Sequence, residues 1–394
     1  MKFEWRAMAS GPQLMTRGSV VATVGAMFLV TATQATESRI DALAPLWNCR
    51  VASESALLVS ERGEPASALL MFSPIGSVAL TAGNVRFVEG KDYRIDRKAR
   101  RITAVGSRLP VVQKSALRVL AGDAPDFLSA SDGKDIRLFL DENGFFNRAQ
   151  VTVTYRHRTD KWPGTTPTFS PLTLPRTIAR VKTMNPLKIT LLGDSISEGY
   201  NASAFLGAPP MRPSYADQVA DALRHVYSNP VQLTNMAHGG WTSSRGLAQV
   251  MNHGLAKTKP DLVIIAFGMN DALDEAPDVF AANVSAIMSA FSTQSPHTEF
   301  ILVSPMLPNP NWAKASPSQF FNYRDKLRAF QKPGVAVADL TSIWAALLSR
   351  KSYYDFTGNG VNHPNDFGHS LSAQALFSLL VPPRLMRHYT RVKC

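Results

Sequence analysis

From about residue 185 the chain alternates short apolar runs with longer stretches in which apolar positions recur every three or four residues. The runs LKITLL, VQLTNM, DLVIIAFG, EFILVSP and VAVADL predict buried strands. Amphipathic helices lie between them. In SYADQVADALRHVY, Ser214 is placed to cap an N-terminus with Asp217 in the first turn, and Tyr215, Val219, Leu223 and Val226 form one stripe. A second helix runs through PDVFAANVSAIMSAFS with Phe280, Val284, Ile287 and Phe291 on one face; a last one, capped by Asp366, carries Phe367, Leu371 and Leu379. This grammar predicts an α/β fold, a parallel sheet covered by helices on both faces.

Upstream the pattern differs. SALLVSE, SALLMFSP, DYRID, RITAV and AQVTVTYRH are short and rich in β-formers, and the last alternates Val151, Val153 and Tyr155 on one face. DYRIDRKARRITAV predicts a hairpin in which Tyr93 and Ile95 face Ile102 and Ala104. Residues 37–160 are therefore expected to form a small β-sandwich, the proline-rich stretch 161–184 a linker, and 185–394 the α/β domain. No internal repeat is evident.

Composition adds a compartment. Lys2, Arg6 and Arg17 precede the apolar stretch GSVVATVGAMFLV and the small residues of TATQATE, so 1–35 reads as a secretory signal with cleavage after Ala35. An exported protein, periplasmic or secreted, is expected, with no stable membrane insertion once the signal is removed, since no other stretch could cross a bilayer. Removing three basic residues and one acidic one lowers the net charge from +12 to +10. The charges are scattered, and no helix-turn-helix, zinc-finger or aromatic-basic motif supports nucleic-acid binding. The 2 cysteines, Cys49 and Cys394, are too few for a disulfide scaffold or a zinc motif.

The polar segments that follow the strands carry the chemistry. GDSIS follows the first strand of the α/β half, NMAHGGWTS the second and GMNDA the third, while GNGVNHPNDFGH precedes the final helix. In an open parallel sheet the C-terminal strand ends share one edge, so these segments converge on one crevice. A serine hydroxyl needs a nearby base, for which His363 is the candidate, and acyl transfer needs fixed donors for an oxyanion. The N–H of Ser195, the N–H of Gly240 and the side-chain amide of Asn270 are candidates for that oxyanion hole.

In these four ordered blocks the sequence resembles the SGNH hydrolases, the GDSL esterase and lipase family, over roughly residues 185–382. The resemblance implies a flavodoxin-like three-layer α/β/α sandwich, with Ser195 as nucleophile, Gly240 rather than Gly239 and Asn270 in the oxyanion hole, His363 as base, and no metal or other cofactor. One departure stands out: the family commonly has Asp three residues before the histidine, where this chain has Gly360. Asp355 is the first candidate to orient the imidazole in its place. Asp366 and a backbone carbonyl, the latter leaving a Ser-His dyad, are the others. His369 reads as a packed or exposed helix residue rather than a base, and His238 as structural, with contact to substrate as its alternative.

Trp241, next to Gly240, is a candidate for substrate binding, and the loop 201–215 is expected to shape one wall of the site. An exported SGNH enzyme with an added β-domain resembles carbohydrate esterases. The expectation is a serine esterase that removes acyl groups, acetyl above all, from an O-acylated polysaccharide or a small ester. A lipid or thioester hydrolase, an O-acyltransferase and a non-catalytic glycan-binding protein are the alternatives.

Overall fold

The structure, a computed structural model, describes residues 43–157 and 161–389. The expected signal segment lies outside them, as does Cys394. Among the described residues no helix is long and apolar enough to cross a membrane.

The N-terminal region is built from sheets that are antiparallel except where Val59–Ser60 pairs in parallel with Val112–Gln113. Strands β1 (Val51–Ala56), β2 (Val59–Ser60), β3 (Ser67–Leu69), β4 (Pro74–Ala82), β5 (Val85–Phe87), β6 (Tyr93–Asp96), β7 (Arg101–Ala104), β8 (Val112–Gln113), β9 (Arg118–Leu120), β10 (Ser129–Ala130), β11 (Gly133–Leu138) and β12 (Val151–His157) follow in order. One sheet has the order β1-β12-β4-β5, a second β6-β7-β3-β2-β8, and a small third β10-β11-β9. The hairpin forms as its alternation requires, with Tyr93 opposite Ala104 and Ile95 opposite Ile102. Tyr93 is buried and donates its hydroxyl to the Val78 carbonyl at 2.7 Å, tying the first two sheets together.

The C-terminal half is a parallel sheet of β13 (Leu187–Gly193), β14 (Val231–Asn235), β15 (Leu262–Ala266), β16 (Glu299–Val303) and β17 (Val335–Ala338), in the order β14-β13-β15-β16-β17. That is the flavodoxin-like order, and its switch point falls between β13 and β15. β15 and β16 are buried along their whole length, which is why their sequences are apolar apart from Glu299 at the start of β16. Helices Tyr215–Tyr227 and Asp366–Leu380 pack together in one layer; Ser243–His253, Pro277–Gln294 and Pro317–Ala329 form the other. The stripes Tyr215/Val219/Leu223/Val226 and Phe280/Val284/Ile287/Phe291 are buried as expected.

Two local expectations are corrected. The stretch 161–184 is not a linker throughout: Pro175–Lys182 is a helix, with proline in its first turn and Ile178 and Val181 buried. Glu299 of β16 caps it, accepting hydrogen bonds from Arg176 N–H at 3.0 Å and Thr177 N–H at 2.8 Å. The final helix is capped by Asn365 rather than Asp366; the Asn365 side chain accepts from Gly368 N–H at 2.9 Å, and Asp366 instead accepts from Ser203 N–H at 2.7 Å. A single apolar cluster runs from Leu58, Phe72 and Tyr155 of the β-rich region to Trp344, Phe356 and Phe377 of the α/β half.

Candidate active site

β13 ends at Gly193, where a side chain would run into Ser197 and the Ala266 carbonyl. Asp194 then caps the one-turn helix Ser195–Glu198, its carboxylate accepting from Ile196 N–H at 3.0 Å. Burial pushes the Asp194 carboxyl up to about 7 against the opposing pull of that backbone donor and of His363. Ser195 is thereby held at the strand end, buried, with its Oγ 2.8 Å from His363 Nε2.

His363 stands on a loop organised by its neighbour Asn359. The Asn359 carboxamide oxygen accepts from the N–H groups of Val361, Asn362 and His363 at 2.9, 3.0 and 3.0 Å. The His363 carbonyl in turn accepts from Gly358 N–H at 2.8 Å and from the Thr357 hydroxyl at 3.0 Å. On the far side of the ring, Nδ1 lies 2.8 Å from Asn201 Oδ1 and 3.2 and 3.3 Å from the two carboxylate oxygens of Glu142. Both neighbours are acceptors there, so Nδ1 carries the proton and Nε2 is left to accept from the Ser195 hydroxyl. Asn201 holds its position through a left-handed backbone, φ 62°, which asparagine tolerates better than most residues.

Asp355 is not brought to His363. It lies buried under the β-rich region, where it accepts from Leu57 N–H at 2.9 Å and Ser352 N–H at 3.0 Å and stands 3.7 Å from the ammonium of Lys351. Lys351 is itself fully buried against Glu54. The glycine-rich loop does fold back, but it turns the Asp355 side chain toward strand β1 and away from the ring. Asp366 is likewise engaged elsewhere, with Ser203. His369 is packed rather than exposed: it is fully buried, contacts the Tyr200 carbonyl at 3.1 Å, and burial pushes its imidazole down to about 4.

The candidate oxyanion donors sit on the neighbouring strand ends. Among the described residues neither the Ser195 N–H nor the Gly240 N–H makes a hydrogen bond. The Gly239 N–H, in contrast, is committed to Glu198 Oε2 at 2.7 Å, which leaves Gly240 as the available donor of the pair. Gly240 adopts φ 73°, and nothing lies within 4 Å of where a Cβ would be, so the space over it is open. Asn270 donates one amide N–H to the Trp241 carbonyl at 2.9 Å and keeps the other. Behind it, buried Asp271 accepts from Ser243 N–H at 2.8 Å and Gly268 N–H at 3.0 Å, fixing the turn; burial pushes its carboxyl up to about 6.

Aromatic rings flank the crevice. Trp241 stacks on exposed His238 with ring centroids 5.0 Å apart and planes 9° from parallel. Tyr200 lies 5.3 Å from the His363 ring and 4.5 Å from Phe205, which is half-exposed. Sequence reasoning missed Glu142 and Asn201; the vacancy of an acid at Gly360 was the signal that some other group must serve.

The first strand of a flavodoxin-like sandwich thus ends at a serine hydrogen-bonded to a histidine, with the Ser195 and Gly240 N–H groups uncommitted, an arrangement of the SGNH kind. Residues 191–371 match the GDSL-like Lipase/Acylhydrolase family, and this part of the chain is a domain of that family. No curated protein matches the chain. Among solved structures it is similar to a two-domain esterase active on acetylated mannans, co-crystallised with mannopentaose, at 23% identity over 54% of this chain and 54% of that one, with a TM-score of 0.43. The chain thus spans about half the length of that relative. A lipase from a goat rumen metagenome is 18% identical over 52% of this chain and 99% of that one, TM-score 0.41. An acetylxylan esterase from Geobacillus stearothermophilus is 18% identical over 52% and 96%, TM-score 0.40.

Proposed function

We propose that the protein is a serine esterase that removes short acyl groups, acetyl above all, from the hydroxyls of a carbohydrate. The observation that carries the hydrolase reading is the 2.8 Å contact between Ser195 Oγ and His363 Nε2, beside uncommitted donors at Ser195, Gly240 and Asn270. In this reading His363 takes the hydroxyl proton as Ser195 Oγ attacks the ester carbonyl carbon. The carbonyl oxygen gains the negative charge and is met by the two backbone N–H groups and the Asn270 amide. Collapse expels the sugar alkoxide, which receives the proton from His363, and leaves an acyl-serine. Water then enters by the same route, with His363 again as base, and releases the carboxylic acid.

Two features support a polymeric, sugar-like alcohol and a short acyl chain. The space over Gly240 is open, as a bulky leaving group requires, and the Trp241 and Phe205 rings offer apolar faces on which a pyranose can stack. The loop 201–214 is made of turns and carries no helix that could serve as an apolar lid for a long chain. The signal expected in residues 1–35 from their sequence fits a substrate outside the cytoplasm.

The test is hydrolysis of p-nitrophenyl acetate beside the octanoate ester, with wild type and Ser195→Ala in parallel, followed by acetate release from an acetylated polysaccharide. Serine-dependent turnover that favours acetate supports the reading. Preference for octanoate points to the lipid hydrolase instead, and turnover by Ser195→Ala refutes the mechanism.

A further inference from the structure

The turn Asp141–Gly144 of the β-rich region reaches the imidazole of His363, and the side chain that arrives there is the carboxylate of Glu142. We propose that Glu142 is the positioning acid of this site, facing His363 Nδ1 and supplying the negative charge that stabilises the imidazolium formed when Ser195 gives up its proton. This rests on the reading of Ser195 and His363 as nucleophile and base.

Three observations carry it. First, both Glu142 oxygens lie within 3.3 Å of Nδ1, although the two residues are 221 positions apart. Asn201 is closer, at 2.8 Å, but it is neutral: it fixes the ring and its tautomer without compensating a developing charge. Second, the turn is built to hold the carboxylate in place. Asp141 Oδ2 accepts from Asn143 N–H at 3.0 Å and Phe145 N–H at 2.7 Å, and the Asp141 N–H donates to the Asn359 carbonyl at 3.1 Å. Asn359 also donates its side-chain N–H to Glu142 Oε1 at 3.0 Å, so the residue that organises the histidine loop also holds the acid.

Third, the same turn explains the missing aspartate. Gly360 has φ 89°, and a Cβ there would run into the Phe139 carbonyl and lie 2.8 to 2.9 Å from the Phe146 ring. The space next to position 360 is filled by the segment that brings Glu142. The electrostatics agree: burial raises the Glu142 carboxyl, but hydrogen bonds and charge from His363, with further hydrogen bonds from Asn359 and Asn201, outweigh it and hold the group below the usual carboxylate range. Glu142 is thus ionised wherever the base works. The Nδ1 proton stays on the ring throughout; only the Ser195 proton moves, to Nε2.

Glu142→Gln keeps the shape and removes the charge. The expected result is a fall of about ten- to hundredfold in kcat on p-nitrophenyl acetate, with KM changed little. The acid limb of kcat/KM moves to lower pH, because a neutral neighbour no longer favours the protonated ring. Adding Asn201→Asp in that background returns a carboxylate to Nδ1 and restores turnover, which a merely structural role for Glu142 would not allow. Wild-type kcat and pH profile in a folded Glu142→Gln protein overturn the proposal and leave Asn201 as the orienting group. If that variant fails to fold, proton NMR of the wild type decides: the downfield Nδ1–H resonance of His363 shifts as a carboxylate is protonated at acid pH, or does not and the proposal falls. The NMR arm needs no turnover. An enzyme inactive on esters would refute the hydrolase reading, while the resonance would still report on the Glu142–His363 pair.

Discussion

Replacing Gly360 with aspartate restores the acid three residues before the histidine, yet the structure expects the change to damage the fold without improving the catalyst. The φ of 89° puts any L-residue in a conformation that costs about 1–2 kcal/mol. The new Cβ must also displace the Phe146 ring, now 2.8 Å away, or the Phe139 carbonyl, and overpacking of this kind costs about 1–3 kcal/mol. The sum is about 2–5 kcal/mol for Gly360→Ala, and more for aspartate, whose carboxylate enters a buried position. Urea unfolding of wild type, Gly360→Ala and Gly360→Asp measures these costs, and kcat of each folded variant is read alongside. Because the displaced segment carries Glu142, kcat should fall together with stability in both variants. A Gly360→Asp protein as stable and as active as wild type would refute the packing argument.

Asp355→Ala removes the acceptor of the Leu57 and Ser352 N–H groups and one of the two carboxylates beside buried Lys351. Denaturant unfolding should show a loss of about 3–5 kcal/mol, with kcat per folded molecule close to wild type. Asn270→Ala should lower kcat by about a hundred- to a thousandfold on p-nitrophenyl acetate with little change in melting temperature, if its amide meets the oxyanion. Asp194 has a carboxyl raised to about 7 in the fold, so folding takes up a proton, and the stability gained by keeping the group neutral is lost as pH rises toward and through 7. The melting temperature of Asp194→Asn, measured relative to wild type, should therefore become more favourable between pH 5 and pH 8; a constant difference would contradict the assignment.

The parallel sheet was legible because buried strands and amphipathic helices differ in period, and because the polar blocks fall directly after the strands. The hairpin of Tyr93–Asp96 with Arg101–Ala104 was legible from alternation alone. The helix Pro175–Lys182 was hidden by the prolines before it, although Pro175 in its first turn is itself a start signal. Asn365 and Asp366 are both good caps, and only the three-dimensional demand of Ser203 N–H on Asp366 separates them. The serine and the histidine come within hydrogen-bond distance, and Gly240 and Asn270 lie after the two strands that flank β13. Glu142 could not be found by such reasoning, since its place depends on packing between segments 221 residues apart and no local rule links them. Asp355 was chosen for nearness in sequence, whereas the buried ammonium of Lys351 and the N–H of Leu57 claim its side chain.

Strands β1 and β12 lie side by side, Val51 opposite Arg156 and Ala56 opposite Val151, so the chain leaves the β-rich region close to where that region's first strand begins. Segments whose ends meet in this way are the ones protein engineers treat as cassettes, to be deleted or exchanged between scaffolds. This one does not qualify. An exchange that preserved every residue from 185 onward would retain the serine and the histidine but strip the imidazole of its carboxylate, so any library of shuffled chimeras must carry the 139–146 turn along with the hydrolase half.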